Sequence, residues 1–399
     1  MTPAEVVPLR PVRTGATDPA RVAAWQGVRR LLAVRVDNLG DVLMTTPALA
    51  AAVASVPGLE VTLLGGRGAE AIARHLPMVR DVIAARVPWV RHEDGGAAPG
   101  DDLALVERLR QGAFDAAVVF TVCTQSALPA AMLCRLAGIP LRLAHVRENP
   151  YELLTDWAPE TDLDVAGARH EARRQLDLVA RVGWRVADER LRFAPEAGDV
   201  ASVDALLQCE GPGLGEGPWV VVHVGATAPS RRWPPERFGL AAEALVRACG
   251  ARIVFTGSAS EAPLVEQARA AMGSPSLSLA GRLSLGELGA LVARADVVLT
   301  NNSGPAHLAA ALGTPVVDLY ALTNPQHTPW QVRSHVLSHD VPCRNCLKSR
   351  CPQGHHLCLT GVPVEAAVDA TLDLLGRVRK VAVAGGGGHG VRVCEEPAP

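Results

Sequence analysis

The chain has 399 residues, 48% of them hydrophobic and 20% charged, with a formal net charge of −2 at pH 7. Such a length accommodates two domains, each with its own core. The near-neutral balance gives no reason to expect nucleic acid or another polyanion as partner, and no run approaches the ~18 apolar residues of a membrane helix.

Residues 1–28 carry Pro, Arg and Thr with little periodicity, which predicts a mobile lead-in without the apolar core of a signal peptide. A first domain is expected over 29–200. Its first buried strand is Leu31–Val36, followed by a turn at Asp37–Gly40 and a helix from Asp41 to about Ser55, kinked at Pro47. Glu60–Gly65 reads as the second strand. The glycines after it do not form the GxGxxG of a dinucleotide site, which argues against a nicotinamide cofactor. Further strands follow at Val82–Ala84, Ala116–Phe120 and Leu141–Ala144, with helices at Leu103–Arg110 and Ala127–Ala137. Arg147–Asp164 is polar and reads as irregular, and Arg169–Val182 as a closing helix. Pro195–Leu206 reads as the interdomain passage.

A second domain, 201–363, restarts the alternation. Strands are predicted at Trp219–Val224, Arg252–Thr256 and Ser276–Leu279, and helices at Pro235–Cys249, Ser260–Met272 and Ser284–Ala293. The last of these opens on a Ser with Glu287 three residues later, a capping box. Ala295–Thr300 is an apolar strand that Asn301-Asn302-Ser303-Gly304 breaks. Pro305 suits the first turn of a helix running His307–Leu312, Gly313 ends it, and Pro315–Tyr320 is the next strand. A final helix, Val364–Val378, and a flexible glycine-rich tail over 381–399 complete the chain.

Strand–helix alternation of this kind builds parallel sheets whose ligand loops lie at the strands' carboxyl ends, and two such domains would face each other across a cleft. The Ser303-Gly304 turn aims free N–H groups and a positive helix end at one point, a setting that suits phosphate. Arg231 and Arg232 offer two guanidinium forks for a diphosphate. Asp41, at a strand-to-helix turn, could act as a general base or simply cap its helix. Glu261, at the end of another strand, could accept from ribose hydroxyls or start its helix. Cys123, Cys134, Cys209 and Cys249 read as buried filler. Cys343, Cys346, Cys351 and Cys358, spaced C-x2-C-x4-C-x6-C, suit tetrahedral zinc or an iron–sulfur centre, with free thiols or disulfides as the other readings.

The stretch TNNSGPAHLAAALGTP (Thr300–Pro315) resembles the C-terminal signature of glycosyltransferase family nine, the heptosyltransferases of lipopolysaccharide core assembly. Arg35–Leu49 (RVDNLGDVLMTTPAL), His223–Phe238 (HVGATAPSRRWPPERF) and Thr256–Glu261 (TGSASE) resemble further family segments in the same order. The resemblance implies a GT-B fold of two Rossmann-like domains, with the last helix, 364–380, packing back on the first. It implies an inverting, metal-independent transferase that takes a sugar from a nucleotide donor, ADP-heptose in the family, with no cofactor. Asp41 matches the proposed base. Thr227, Arg231, Arg232, Glu261, Asn302, Ser303, Gly304 and His307 would bind the donor, and Asn38, Gly40, Thr323 and Asn324 would touch acceptor or sugar. Arg231 stands where the family usually has Lys, and Asn302 where it more often has Asp. The implied partner is a glycan or lipid-linked acceptor, met in the cytoplasm with at most peripheral contact at the inner membrane face. Open alternatives are a different glycan or natural-product acceptor, a nucleotide-sugar epimerase, and a non-catalytic nucleotide-sugar-binding protein.

Overall fold

A computed structural model of the chain describes residues 19–90, 98–162, 167–211 and 213–376. Twelve strands among them form two sheets of six. The first contains β1 (Arg30–Arg35), β2 (Glu60–Gly65), β3 (Asp81–Ala84), β4 (Ala116–Val119), β5 (Leu141–Val146) and β6 (Asp156–Pro159), in the order β3-β2-β1-β4-β5-β6. The second contains β7 (Trp219–His223), β8 (Arg252–Thr256), β9 (Leu277–Ser278), β10 (Val297–Asn301), β11 (Val316–Leu319) and β12 (Ser334–Leu337), in the order β12-β11-β10-β7-β8-β9. Every pairing is parallel. The central strands are mostly apolar because helices cover both faces, with polar residues at their carboxyl ends.

Helices connect the strands: α1 (Pro19–Gln26), α2 (Leu39–Ser55), α3 (Ala69–Ala73), α4 (Pro99–Gln111), α5 (Leu128–Leu136), α6 (Glu171–Ala180), α7 (Ala197–Glu210), α8 (Pro235–Cys249), α9 (Ala262–Ala270), α10 (Leu285–Arg294), α11 (Gly304–Leu312), α12 (Leu357–Thr360) and α13 (Val364–Leu374). In each sheet the chain reverses its direction of travel once, between β1 and β4 in the first and between β7 and β10 in the second. Loops at such reversals splay apart and leave a crevice. The loops after β7 and β10 carry Arg231 and Ser303, and Asp41 lies in the first turn of α2 just after β1.

Several expectations are corrected. The lead-in is ordered from Pro19: α1 buries Trp25, whose ring meets Trp184 edge-on at 5.2 Å and whose Nε1 donates to Asp156 at 3.0 Å. One aromatic anchor is enough to dock a helix of weak periodicity. The stretch read as irregular contains β6, an edge strand ending at Pro159, a position where a missing N–H is tolerated. The supposed passage is the helix α7, which buries only Val203 and packs on α10, and β12 is a second unpredicted edge strand. The last helix was expected to lie back on the first domain. Instead α13 packs against α8 and the β10–β12 edge of the second sheet, its apolar face completing that core. The expected tail over 381–399 lies outside the described residues.

Candidate active site

Arg35 ends β1 fully buried, and three carboxylates close on its guanidinium. Nη1 donates to Glu171 Oε1 at 3.0 Å, Nη2 to Asp41 Oδ1 at 3.2 Å, and Nε lies 3.0 Å from Asp37 Oδ2. Burial outweighs this arginine at Asp37 and pushes its carboxyl up. At Glu171 the balance is reversed: burial is overcome by Arg35 and Arg174, and the carboxyl is held at about 2. Arg35 with Glu171 is therefore a fixed post that orients Asp41. Asp41 also accepts from the Asn38 backbone N–H at 3.2 Å, so it does cap α2, and its side chain keeps 12% exposure toward the cleft. The geometry shows the capping role of Asp41.

The second lobe meets this turn directly. Leu39 and Gly40 lie against Gly304 and His307: a Cβ on Gly40 would sit 2.6 Å from His307 Cδ2, and one on Gly304 would sit 3.2 Å from Leu39 Cδ2. Two helix N-termini, those of α2 and α11, thus face each other. The His307 ring is buried, which drives its pKa far down and keeps it neutral, and His327 stands 6.5 Å away. His307 Nδ1 and His327 Nε2 are both buried without a hydrogen-bond partner. Asp41 acts electrostatically on His327, and Arg231 on both histidines. The turn before Asp41 and the Ser303-Gly304 turn therefore meet at His307, with Arg231 near enough to act on its ring.

Arg231 sits on a 3-10 turn (Pro229–Arg231) after β7, half-buried, with no side-chain hydrogen bond or ion pair among the described residues. A half-buried unpaired guanidinium is a ready anion site. Arg232 differs: its Nε donates to the Ala226 carbonyl at 2.7 Å and braces the loop. Thr227 is exposed at the rim. Glu261 accepts from Ser258 N at 2.8 Å and Ser258 Oγ at 2.9 Å, so it starts its helix turn. Its carboxylate also packs over Gly225, where a Cβ would lie 2.1 Å away. Ser303 Oγ donates to the Asn301 carbonyl at 3.2 Å, leaving the backbone N–H groups of the turn as the free donors. Thr323 is buried, and Asn324 Oδ1 accepts from Gln326 N at 2.9 Å, so both serve their own loop.

Reasoning from the sequence missed Arg35, Glu171, His327 and Asp318. Asp318 on β11 is wholly buried, its oxygens lack hydrogen-bond partners, and burial pushes its pKa to about 8, with Asn302 and Arg231 as polar neighbours. A charged residue inside an apolar strand was the available signal. Nearby, a cavity of about 650 Å³ is bordered by Tyr320, Pro325, Thr328, His335 and Asp373; it includes none of the predicted site residues.

Residues 103–357 match the family described as glycosyltransferase family 9 (heptosyltransferase). The chain is 30% identical to lipopolysaccharide heptosyltransferase 1 of Pseudomonas aeruginosa, over 81% of this chain and 87% of the relative. A family 9 glycosyl transferase from Veillonella parvula superposes with a TM-score of 0.72 at 23% identity, covering 87% of this chain and 97% of that one. The ADP-heptose lipopolysaccharide heptosyltransferase II of E. coli does so with a TM-score of 0.67 at 20% identity, covering 87% and 98%. The architecture is that of these solved structures, a GT-B pair of parallel-sheet domains.

Proposed function

Since this chain belongs to glycosyltransferase family 9, the heptosyltransferases, we propose that it moves heptose from ADP-heptose to a hydroxyl of a lipopolysaccharide-core type acceptor. The similar proteins named for that donor and acceptor support the choice of both. The transfer inverts the anomeric centre and needs no metal. Asp41 takes the proton of the acceptor hydroxyl, the oxygen attacks the anomeric carbon, and the bond from that carbon to the diphosphate oxygen breaks. Arg231 and the N–H groups of the Ser303-Gly304 turn bind the diphosphate and offset the charge that grows on the departing ADP. Neutral His307 donates one hydrogen bond to the same group. Arg35, held by Glu171, keeps Asp41 aimed at the acceptor side.

One observation carries this reading: Gly40 of the first lobe against His307 of the second, with Asp41 next in sequence and Arg231 an electrostatic neighbour of His307. A base and an anion cradle then share one cleft. Asp41→Asn keeps the size and the capping hydrogen bond while removing the base. Turnover of ADP-heptose with a core acceptor should fall by about 10²–10⁴, with donor affinity by calorimetry within about twofold of the parent. Unchanged turnover would remove Asp41 from the mechanism, and conversion of donor without any acceptor would favour the epimerase reading.

A further inference from the structure

His327 closes a short 3-10 turn (Pro325–His327) that follows β11, and both polar groups of its backbone are pinned. Its N–H donates to the Tyr320 hydroxyl at 3.3 Å, and its carbonyl accepts from Asn302 Nδ2 at 3.1 Å. An ionised aspartate at 302 would have no hydrogen to give to that carbonyl. The residues on either side of His327 are tied to the first lobe. Gln326 Nε2 donates to the Arg169 carbonyl at 3.0 Å and its Oε1 accepts from Cys123 Sγ at 3.2 Å, while the Thr328 carbonyl accepts from His170 Nε2 at 2.8 Å. A turn braced in this way holds its side chain at a fixed place between the lobes.

The ring that this brace presents has a nitrogen with nothing to bind. His327 Nε2 is shut off from solvent and has no hydrogen-bond partner among the described residues. Burial pushes the ring's pKa down, so the imidazole is neutral, with one nitrogen that donates and one that accepts. Leaving such a nitrogen unpaired costs stability. His170, a few residues away across the seam, avoids that cost by pairing with Thr328.

The charges around the two rings place them differently. After burial, the influences on His327 come from Asp41 and Glu171 of the first lobe, then from Arg231 of the second and from Arg35. His307, with its ring centre 6.5 Å away, is acted on after burial by His327, His170 and Arg231, and by no carboxylate. His307 therefore belongs to the diphosphate side of the cleft, and His327 to the interval between that side and Asp41. In-line displacement fills such an interval in one way: the sugar lies between the base that activates the attacking hydroxyl and the diphosphate that leaves. The chemistry of the ring agrees. A hydroxyl both donates and accepts, so it satisfies either tautomer of a neutral imidazole, whereas a phosphate oxygen only accepts.

We propose that His327 Nε2 binds a ring hydroxyl of the sugar being transferred, which makes His327 a specificity residue for the sugar of the donor and not for its nucleotide. The inference rests on the transferase reading above, with Asp41 as base and Arg231 on the diphosphate.

His327→Phe keeps a flat ring and removes both nitrogens. With the full-length enzyme, ADP-heptose and a core acceptor, it should lower kcat/KM about 10–100-fold, as a sugar hydroxyl is left unpaired, while ADP alone binds within about twofold of the parent by calorimetry. His327→Gln, whose amide also donates and accepts, should recover most of the loss. His327→Ala serves the same comparison if the phenyl ring distorts the turn. ADP-heptoses that each lack one hydroxyl complete the test as a double-mutant cycle: one of them should cost the parent the same factor and leave His327→Phe indifferent. ADP affinity that falls as far as ADP-heptose affinity would make His327 a phosphate ligand and overturn the proposal. So would deoxy donors whose losses are the same in parent and variant. A parent enzyme that does not turn over ADP-heptose would remove the donor reading and this inference with it, whereas parent turnover with an unaffected His327→Phe would remove this inference alone.

Discussion

Asn302 and Asp318 are best understood together. The strand register sets Thr300 opposite Asp318, so Asn302 lies just past that pairing with the Asp318 carboxyl as a buried neighbour. A second carboxylate at 302 would place like charges side by side in a buried site, and an amide there avoids that repulsion. Asp318 also destabilises the fold in a predictable direction. Its unfolded pKa of 3.8 rises to about 8 on burial, so folding must keep it protonated and stability is lost as pH climbs between those values. Asp318→Asn should therefore raise the melting temperature at pH 7.5 and leave it nearly unchanged at pH 4. The reverse pattern in a thermal scan would mean that Asp318 is ionised by a partner. Arg231→Ala should raise the donor Km about 10–100-fold, the worth of a charge-assisted contact, with little effect on the melting temperature because the side chain makes no hydrogen bond or ion pair among the described residues. Arg232→Ala, by contrast, should register as a loosened β7 loop, seen in faster amide exchange at Ala226–Thr227.

At the scale of elements, the α2–α11 contact is the feature on which the cleft depends. Gly40 lies inside a helix, where any residue could adopt its backbone angles, so its smallness matters for distance and not for conformation. Gly40→Ala should push His307 away and hold the lobes apart. We expect kcat to fall by about tenfold to a hundredfold, the penalty of misplacing reacting groups by about 1 Å, while small-angle scattering shows a larger radius of gyration. A wild-type kcat would show that the ring can swing aside. The amino-terminal helix α1 is part of the first core. Trp25→Ala removes a ring buried against Trp184 and leaves the Asp156 carboxylate without its indole donor. It should cost about 3–5 kcal/mol, measured by denaturant unfolding.

For the whole molecule, the lobes are joined by a seam of buried polar contacts whose protonation matters. His170 accepts from Ala172 N, bonds the Thr328 carbonyl at 2.8 Å and stacks on Trp330 at 4.5 Å, while Trp330 Nε1 donates to the Glu189 carbonyl at 2.8 Å. Cys123 and Gln326 cross the same seam at 3.2 Å. Burial lowers His170 and His145 from 6.5 to about 4. Both are neutral in the folded and unfolded states above pH 6.5. Below it the unfolded chain takes up protons first, so each histidine withdraws on the order of 3 kcal/mol as pH falls from 6.5 to about 4. Glu171, held at about 2 against an unfolded 4.5, extends that loss to lower pH. Unfolding free energy should already decline between pH 6.5 and 5, before most carboxylates titrate. A flat profile across that window would show that these rings are solvated in solution.

The alternation of apolar strands with amphipathic helices was written plainly enough in the sequence to give two parallel-sheet domains, because strands buried on both faces must be apolar along their length. The turns at Asp37–Asp41 and Asn301–Gly304 were legible for a similar reason: Asp, Asn, Ser and Gly interrupt those runs where backbone groups need other partners. The edge strands β6 and β12 and the helices α1 and α7 were not legible, since each is held by a neighbour distant in sequence and not by its own pattern. The same holds for the site. Asp41, Arg231 and His307 could be named one by one, but only the packing of Gly40 on His307 brings the turn before Asp41 against the turn that opens α11. Only the folded chain brings Glu171 to Arg35, 136 positions apart, because burial makes charges pair with whatever partner the tertiary structure supplies.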